Sequence, residues 1–115
     1  MRKSLATAVL VIVVAALAAL VALPAFAATP VLNGTVGPGF TIVMKKKPTK
    51  AGKYKLVVAD KSSIHNFHLK GPGVNVLTSV GFTGTKSFTV TLKKGKYTFV
   101  CDPHATSMHG SFTIK

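Results

Sequence analysis

Residues 85–101 read TKSFTVTLKKGKYTFVC, and this stretch decides the fold class. From Phe88 to Leu92 every second residue is apolar, and the residues between them carry hydroxyl groups. This period of two is typical of a half-buried β-strand. A Lys-Lys-Gly turn follows, and a second alternating run then directs Tyr97 and Cys101 toward one face. The stretch therefore predicts two strands, the second of which ends at a cysteine on the core side.

The rest of the chain after residue 27 continues the strand pattern. Short runs rich in Val, Ile, Thr, Phe and Tyr are separated by Gly, Pro and Lys, and none has the 3.6-residue period of a helix. About seven strands within residues 28–115 favour an all-β fold, either a β-sandwich or a small barrel. We expect residues 74–84 to be irregular and the strands to be Val31–Val36, Phe40–Met44, Lys53–Ala59, Ile64–Lys70, Thr85–Leu92, Lys96–Cys101 and Ser111–Ile114.

The first 27 residues are different in kind. Arg2 and Lys3 precede an uninterrupted apolar run from Ala8 to Leu23, and Ala-Phe-Ala then ends at Ala27. A basic start, an apolar middle and an A-x-A end predict a secretory signal peptide over residues 1–27, cleaved after Ala27. The alternative is an uncleaved anchor helix, since about 20 apolar residues span a bilayer. We therefore expect one domain, residues 28–115, exported to the periplasm, to the extracellular space or to the cell surface.

The charge is strongly unbalanced. The 115 residues contain 15 Lys and Arg but only two acids, Asp60 and Asp102, and the formal net charge is +13. Two acids leave little room for paired-carboxylate hydrolysis. The excess of lysine predicts attraction to an acidic redox partner protein or to an anionic cell-envelope surface. Nucleic acid is not expected, because the lysine runs lack interleaved aromatic residues. We expect a monomer that contacts the membrane only through the N-terminal segment, if that segment stays uncleaved.

The residues with metal-binding chemistry cluster near the C-terminus. Residues 101–110 read CDPHATSMHG, which places Cys101, His104 and Met108 within eight residues. A thiolate, an imidazole and a thioether together favour copper. Cys101 is the only cysteine, so the chain has no internal disulfide. A trigonal His₂Cys site needs a second histidine, and His65 shares the inward face of its predicted strand, whereas His68 points to the other face.

Other interpretations account for fewer of these residues or need features that the chain lacks. A zinc site would leave Met108 without a role. A Cys–His hydrolase needs an orienting residue and a cleft, for which about 88 residues of strand leave little space. His109 is an alternative axial ligand to Met108, and His68 is an alternative ligand as well. Without a metal-binding role, both of these histidines would be surface residues.

His65-Asn66 on a mid-chain strand, followed by Cys101-x-Pro-His104 and then Met108, resembles the cupredoxins, and among them the plastocyanin and pseudoazurin group. The likeness covers roughly residues 40–115. It implies a Greek-key β-sandwich and one type 1 copper ion bound by His65, Cys101, His104 and Met108. It also implies that Asn66 hydrogen-bonds to the Cys101 loop and tightens the site.

The same resemblance implies a function. Cupredoxins carry single electrons between Cu(I) and Cu(II), so the chain is expected to be an electron carrier and not an enzyme. His104 would be the ligand nearest the surface and hence the route for electrons. The alternative is an extracytoplasmic copper protein that stores copper or delivers it to an oxidase, since the same ligands would serve that purpose.

Overall fold

Eight strands form two four-stranded sheets within residues 28–115, the part of the chain that the computed structural model describes. The predicted signal peptide, residues 1–27, lies outside the described residues. A helix of sufficient length and apolarity to cross a membrane is absent from residues 28–115. In chain order the strands are β1 (Val31–Val36), β2 (Ile42–Lys45), β3 (Gly52–Asp60), β4 (His68–Gly71), β5 (Val74–Leu77), β6 (Gly84–Leu92), β7 (Gly95–Val100) and β8 (His109–Ile114).

The chain crosses between the two sheets several times. The first sheet has the order β2-β1-β3-β6 and the second the order β5-β4-β7-β8. β1 and β3 are parallel, and every other pair is antiparallel. After β5 the chain returns to pair β6 with β3, and it then crosses again to pair β7 with β4, as in a Greek key. The prediction of an all-β sandwich is confirmed, with one strand more than expected.

The core fills the space between the inner faces of the sheets. Tyr97 and Phe99 of β7 are almost fully buried, as the alternation predicted. The Tyr97 ring stacks on Phe112 with centroids 5.3 Å apart, and the Phe99 ring stacks on Phe67 at 5.8 Å. Both separations lie in the favourable range for aromatic pairs. Cys101 belongs to the same buried cluster as these rings, so its thiol lies in the core.

The predicted strand over residues 64–70 is shorter than expected, because β4 begins only at His68. The backbone before it bonds to Thr78 and Cys101, neither of which is in a strand. The Phe67 N–H donates to Thr78 Oγ1 at 2.9 Å, and the Asn66 N–H points to Cys101 Sγ at 3.4 Å. The expected strand is therefore wrong over residues 64–67, which form a loop packed against the end of β7.

The expectation of irregular structure over residues 74–84 is also partly wrong. Val74–Leu77 forms β5, which pairs with β4 in register from Gly71↔Val74 to His68↔Leu77. Pro72-Gly73 is a two-residue hairpin turn, and Gly73 has φ of +70°. Proline followed by a glycine at positive φ suits a tight turn. The Gly-Pro-Gly sequence thus connects β4 to β5 as a hairpin, whereas the sequence had suggested only the end of a strand.

Candidate metal centre

Cys101 lies one residue beyond β7 and is fully buried. Its backbone closes the loop that follows. The Cys101 N–H donates to the Met108 carbonyl at 3.0 Å, and the Cys101 carbonyl accepts from the His104 N–H at 3.0 Å. Pro103 lies in a turn of 3-10 helix over Asp102–His104, which bends the chain so that His104 returns toward the thiol. A straight strand would place these two side chains on opposite faces.

His65 reaches the same point from the loop before β4. Its Nδ1 lies 3.1 Å from His104 Nδ1 and 3.7 Å from Cys101 Sγ. The third edge of the triangle, from Cys101 Sγ to His104 Nδ1, is 3.5 Å. The structure thus brings together one sulfur and two imidazole nitrogens from two segments of the chain.

This triangle has the size that a metal ion requires. Its edges place a central point about 2 Å from each of the three atoms, which is the length of a metal–imidazole bond. His65 is fully buried, and Nε2 is the one buried side-chain nitrogen or oxygen of residues 28–115 that has no hydrogen-bond partner. A buried imidazole whose polar contacts are all with another imidazole and a thiol at Nδ1 fits a metal ligand. One sulfur and two nitrogens form a donor set suited to copper.

Met108 belongs to the same buried core cluster as Cys101. It is almost fully buried, its carbonyl binds Cys101 and its N–H donates to the His104 carbonyl at 2.8 Å. The short loop between Cys101 and Met108 is therefore held by its own backbone at both ends. Such a loop keeps the relative positions of its side chains with little freedom.

The other two histidines lie outside the triangle. His109 is exposed at the start of β8, where it pairs with Val100. The His68 ring lies on the outer side of β4 and bonds to the Asp102 carboxylate at 2.9 Å. The cluster of potential metal ligands in the described part of the chain is therefore His65, Cys101 and His104, and neither alternative histidine joins it.

Asn66 connects the two segments of the site. Its Oδ1 accepts from the Asp102 N–H at 2.7 Å, and its Nδ2 donates to the Thr78 carbonyl at 3.1 Å and to Asp102 Oδ2 at 2.8 Å. Its own N–H faces Cys101 Sγ. These contacts hold the loop before β4 against the loop after β7, which is the hydrogen bonding that the resemblance implied for Asn66.

Sequence reasoning gave no role in the site to Asp102. Burial raises the pKa of its carboxyl, but hydrogen bonds from Asn66 and His68 and the nearby charges of His68 and Lys70 outweigh that effect. The pKa therefore lies below its ordinary value, and the group is a carboxylate at neutral pH. Its position directly after the cysteine was the signal that could have identified it.

Phe40 also has a place in the site that the sequence did not indicate. Its ring meets His65 and His104 edge-on, with centroid distances of 4.9 and 5.0 Å. The Phe40 side chain is 61% exposed, whereas His104 beneath it is only partly accessible. An apolar ring thus lies between the two imidazoles and the solvent.

Comparison with known proteins agrees with this arrangement. The family model for copper-binding proteins of the plastocyanin/azurin family matches residues 31–115. The NMR structure of reduced rusticyanin has a TM-score of 0.52 and 25% identity, and the match covers 74% of this chain and 76% of that one. Reduced rusticyanin at 1.9 Å gives a TM-score of 0.52 with 23% identity, covering 78% and 82% of the two chains, which shows a shared fold. No curated protein sequence matches the chain significantly.

Proposed function

Because the chain belongs to the plastocyanin/azurin family of copper-binding proteins, we propose that it is an exported carrier of single electrons. Membership confirms the resemblance to the cupredoxins and the prediction of one type 1 copper ion as the cofactor. The observation that carries the proposal is the triangle of Cys101 Sγ and the two Nδ1 atoms of His65 and His104.

These three side chains would hold the copper ion, and Met108 would be a further, weaker ligand. Trigonal His₂Cys coordination with a weak axial thioether is the arrangement of blue-copper sites. The buried position of Met108 in the loop shared with Cys101 and His104 supports its assignment over the exposed His109. Bound copper supplies the one-electron couple between Cu(I) and Cu(II).

The chain's own contribution is to hold these ligands still. The backbone hydrogen bonds from Cys101 to Met108 and from His104 to Cys101 tie the ligand loop to itself. Asn66 ties that loop to the segment that carries His65. Ligands that are already held at the right spacing move little when the oxidation state changes, and this favours fast electron transfer. The partly accessible His104 provides the shortest path to the surface.

The proposed partner follows from the charge of the surface. All 13 lysines of residues 28–115 are exposed. Of the two acids, Asp60 is 2% exposed and Asp102 is engaged by His68 and Asn66. The domain therefore presents positive charge with little compensation, which supports an acidic redox partner or an anionic cell-envelope surface. Because exposed charges are screened by salt, the association should weaken as ionic strength rises.

Optical and electron-paramagnetic spectra of the copper-loaded protein test the proposal. We expect addition of Cu(II) to produce an intense visible band from thiolate-to-copper charge transfer. Cys101→Ser should abolish that band, whereas Ser107→Ala, a change at an exposed hydroxyl in the same loop, should leave it intact. A colourless Cu(II) complex of the unaltered protein would contradict a type 1 site.

Electrochemistry then separates electron transfer from copper delivery. A carrier of electrons should cycle reversibly between Cu(I) and Cu(II) with no loss of metal. Release of copper to a chelator on reduction would instead favour storage, or delivery to an oxidase, by the same ligands.

A further inference from the structure

A negative charge lies directly beside the thiolate ligand in this chain. Asp102 follows Cys101, and its side chain is 42% exposed. Its Oδ2 accepts from Asn66 Nδ2 at 2.8 Å, while both carboxylate oxygens face His68 Nδ1, at 2.9 and 3.0 Å. The carboxylate only accepts hydrogen bonds, so Nδ1 of His68 is the donor. Asp102 is thus held from one side by Asn66 and from the other by His68.

His68 is itself fixed in position. Its side chain is 14% exposed, and its Nε2 faces Asn75 Oδ1 on the neighbouring strand β5. Its backbone lies at the start of β4, between Leu77 and Val100 in the sheet. The ring is therefore held in place with Nδ1 facing the Asp102 carboxylate, to which it donates a hydrogen bond.

A continuous chain of hydrogen bonds joins this ring to the metal ligand. His68 binds the Asp102 carboxylate, and the Asp102 backbone and side chain both bind the Asn66 amide. The Asn66 N–H then points to Cys101 Sγ at 3.4 Å. A substitution of His68 can therefore affect the thiolate through three successive hydrogen bonds. None of them involves the side chains of His65, His104 or Met108.

We propose that His68 is a positioning residue of the copper site, which acts through Asp102 and Asn66 on the Cys101 thiolate and whose hydrogen bond partly compensates the Asp102 carboxylate. This inference rests on the proposed type 1 copper site. Without His68 the carboxylate beside the thiolate would be less compensated. Negative charge near the metal stabilises Cu(II) over Cu(I), so loss of His68 should lower the reduction potential.

A double-mutant cycle on the reduction potential tests this role. His68→Ala should shift the potential downward, and Asp102→Asn should shift it upward. In the Asp102→Asn background, His68→Ala should have little further effect, because its charged partner is gone. His68→Gln, whose side-chain amide can still donate a hydrogen bond to Asp102 but lacks the ring's fixed geometry, should fall between the original protein and His68→Ala. Lys96→Ala is the matched control, since it removes a cation from the outer face of the same sheet.

A second measurement uses the metal-free protein. The Asp102 N–H is protected by Asn66 Oδ1, and we expect His68→Ala to speed hydrogen exchange at that amide several-fold. Amides within β3, which lies in the other sheet, serve as the internal reference and should keep their exchange rates. Lys96→Ala should leave the Asp102 amide unchanged.

The outcomes separate the two proposals. If the unaltered protein shows the thiolate band but His68→Ala keeps both the original potential and the original exchange rate, the role of His68 is refuted. Additive shifts in the double-mutant cycle would also overturn it. If the unaltered protein shows no thiolate band, the proposed function fails, and with it the inference on the potential. The exchange rate then reports on the hydrogen-bonded chain alone, and an unchanged rate would refute that part too.

Discussion

The Nδ1 atoms of His65 and His104 lie 3.1 Å apart, although 39 positions separate the two residues in the chain. Both atoms also lie within 3.7 Å of Cys101 Sγ. Three metal-donor atoms thus lie close together in a buried site, and no carboxylate belongs to this cluster in the described residues. A site whose ligands are already gathered loses less conformational freedom on binding a metal than one that must be assembled.

Copper should stabilise the folded protein. Binding to the native state alone adds about 2.7 kcal/mol when free metal exceeds its dissociation constant about 100-fold. We expect the melting temperature to rise on addition of Cu(II) and to fall back on chelation. In Cys101→Ser the rise should be clearly smaller, because the soft ligand is gone. An equal rise in both proteins would show that copper binds elsewhere.

Asn66→Ala should destabilise the fold. The side chain is 1% exposed and bonds to Asp102 and to the Thr78 carbonyl, which would be left without this partner. Loss of buried hydrogen bonds of this kind costs about 1–3 kcal/mol. Chemical denaturation measures the change, and Asn33→Ala on the exposed face of β1 is the control, which should stay within about 0.5 kcal/mol. Similar values for the two variants would contradict a structural role for Asn66.

Gly34→Ala should be costly although the change is small. A Cβ at Gly34 would lie 2.7 Å from both Cε2 and Cζ of Phe67, a ring that is 1% exposed and stacked on Phe99. Overpacking of a filled core costs about 1–3 kcal/mol. Gly81→Ala, where a Cβ meets nothing within 4 Å, provides the comparison in the same denaturation experiment. If Gly34→Ala is as stable as Gly81→Ala, the ring must have room to move.

Phe40→Ala should open the site to solvent. The ring contacts both imidazoles yet is 61% exposed, so its loss should change the free energy of unfolding by less than about 1 kcal/mol. The rate at which a chelator removes copper should rise several-fold, because water and chelator reach the ligands more easily. Val43→Ala, at a side chain that is 54% exposed on the neighbouring edge strand β2, should leave this rate unchanged. Equal rates in Phe40→Ala and the unaltered protein would exclude a covering role.

The local patterns of the sequence predicted the strands where one face is apolar. In β7 and the residue after it, the alternation correctly predicted the burial of Tyr97, Phe99 and Cys101, because the side-chain period of a strand is a property of the backbone. The same rule failed over residues 64–67. There the Phe67 N–H bonds to Thr78, 11 positions away, and the Asn66 N–H bonds to Cys101, 35 positions away. A local pattern of apolar residues cannot predict partners so distant in the chain.

The sequence by itself determined the class of fold and the chemistry available to it. Alternating apolar residues require a sheet with one buried face, and the one cysteine with nearby histidine and methionine favours a soft metal. Only the tertiary structure decided which atoms meet. Three contacts depend on how the loops at one end of the two packed sheets come together. They are the approach of His65 to His104, the packing of Phe40 over these imidazoles and the hydrogen bond from His68 to Asp102. That arrangement is set by strand register and sheet packing, which act between residues far apart in the chain.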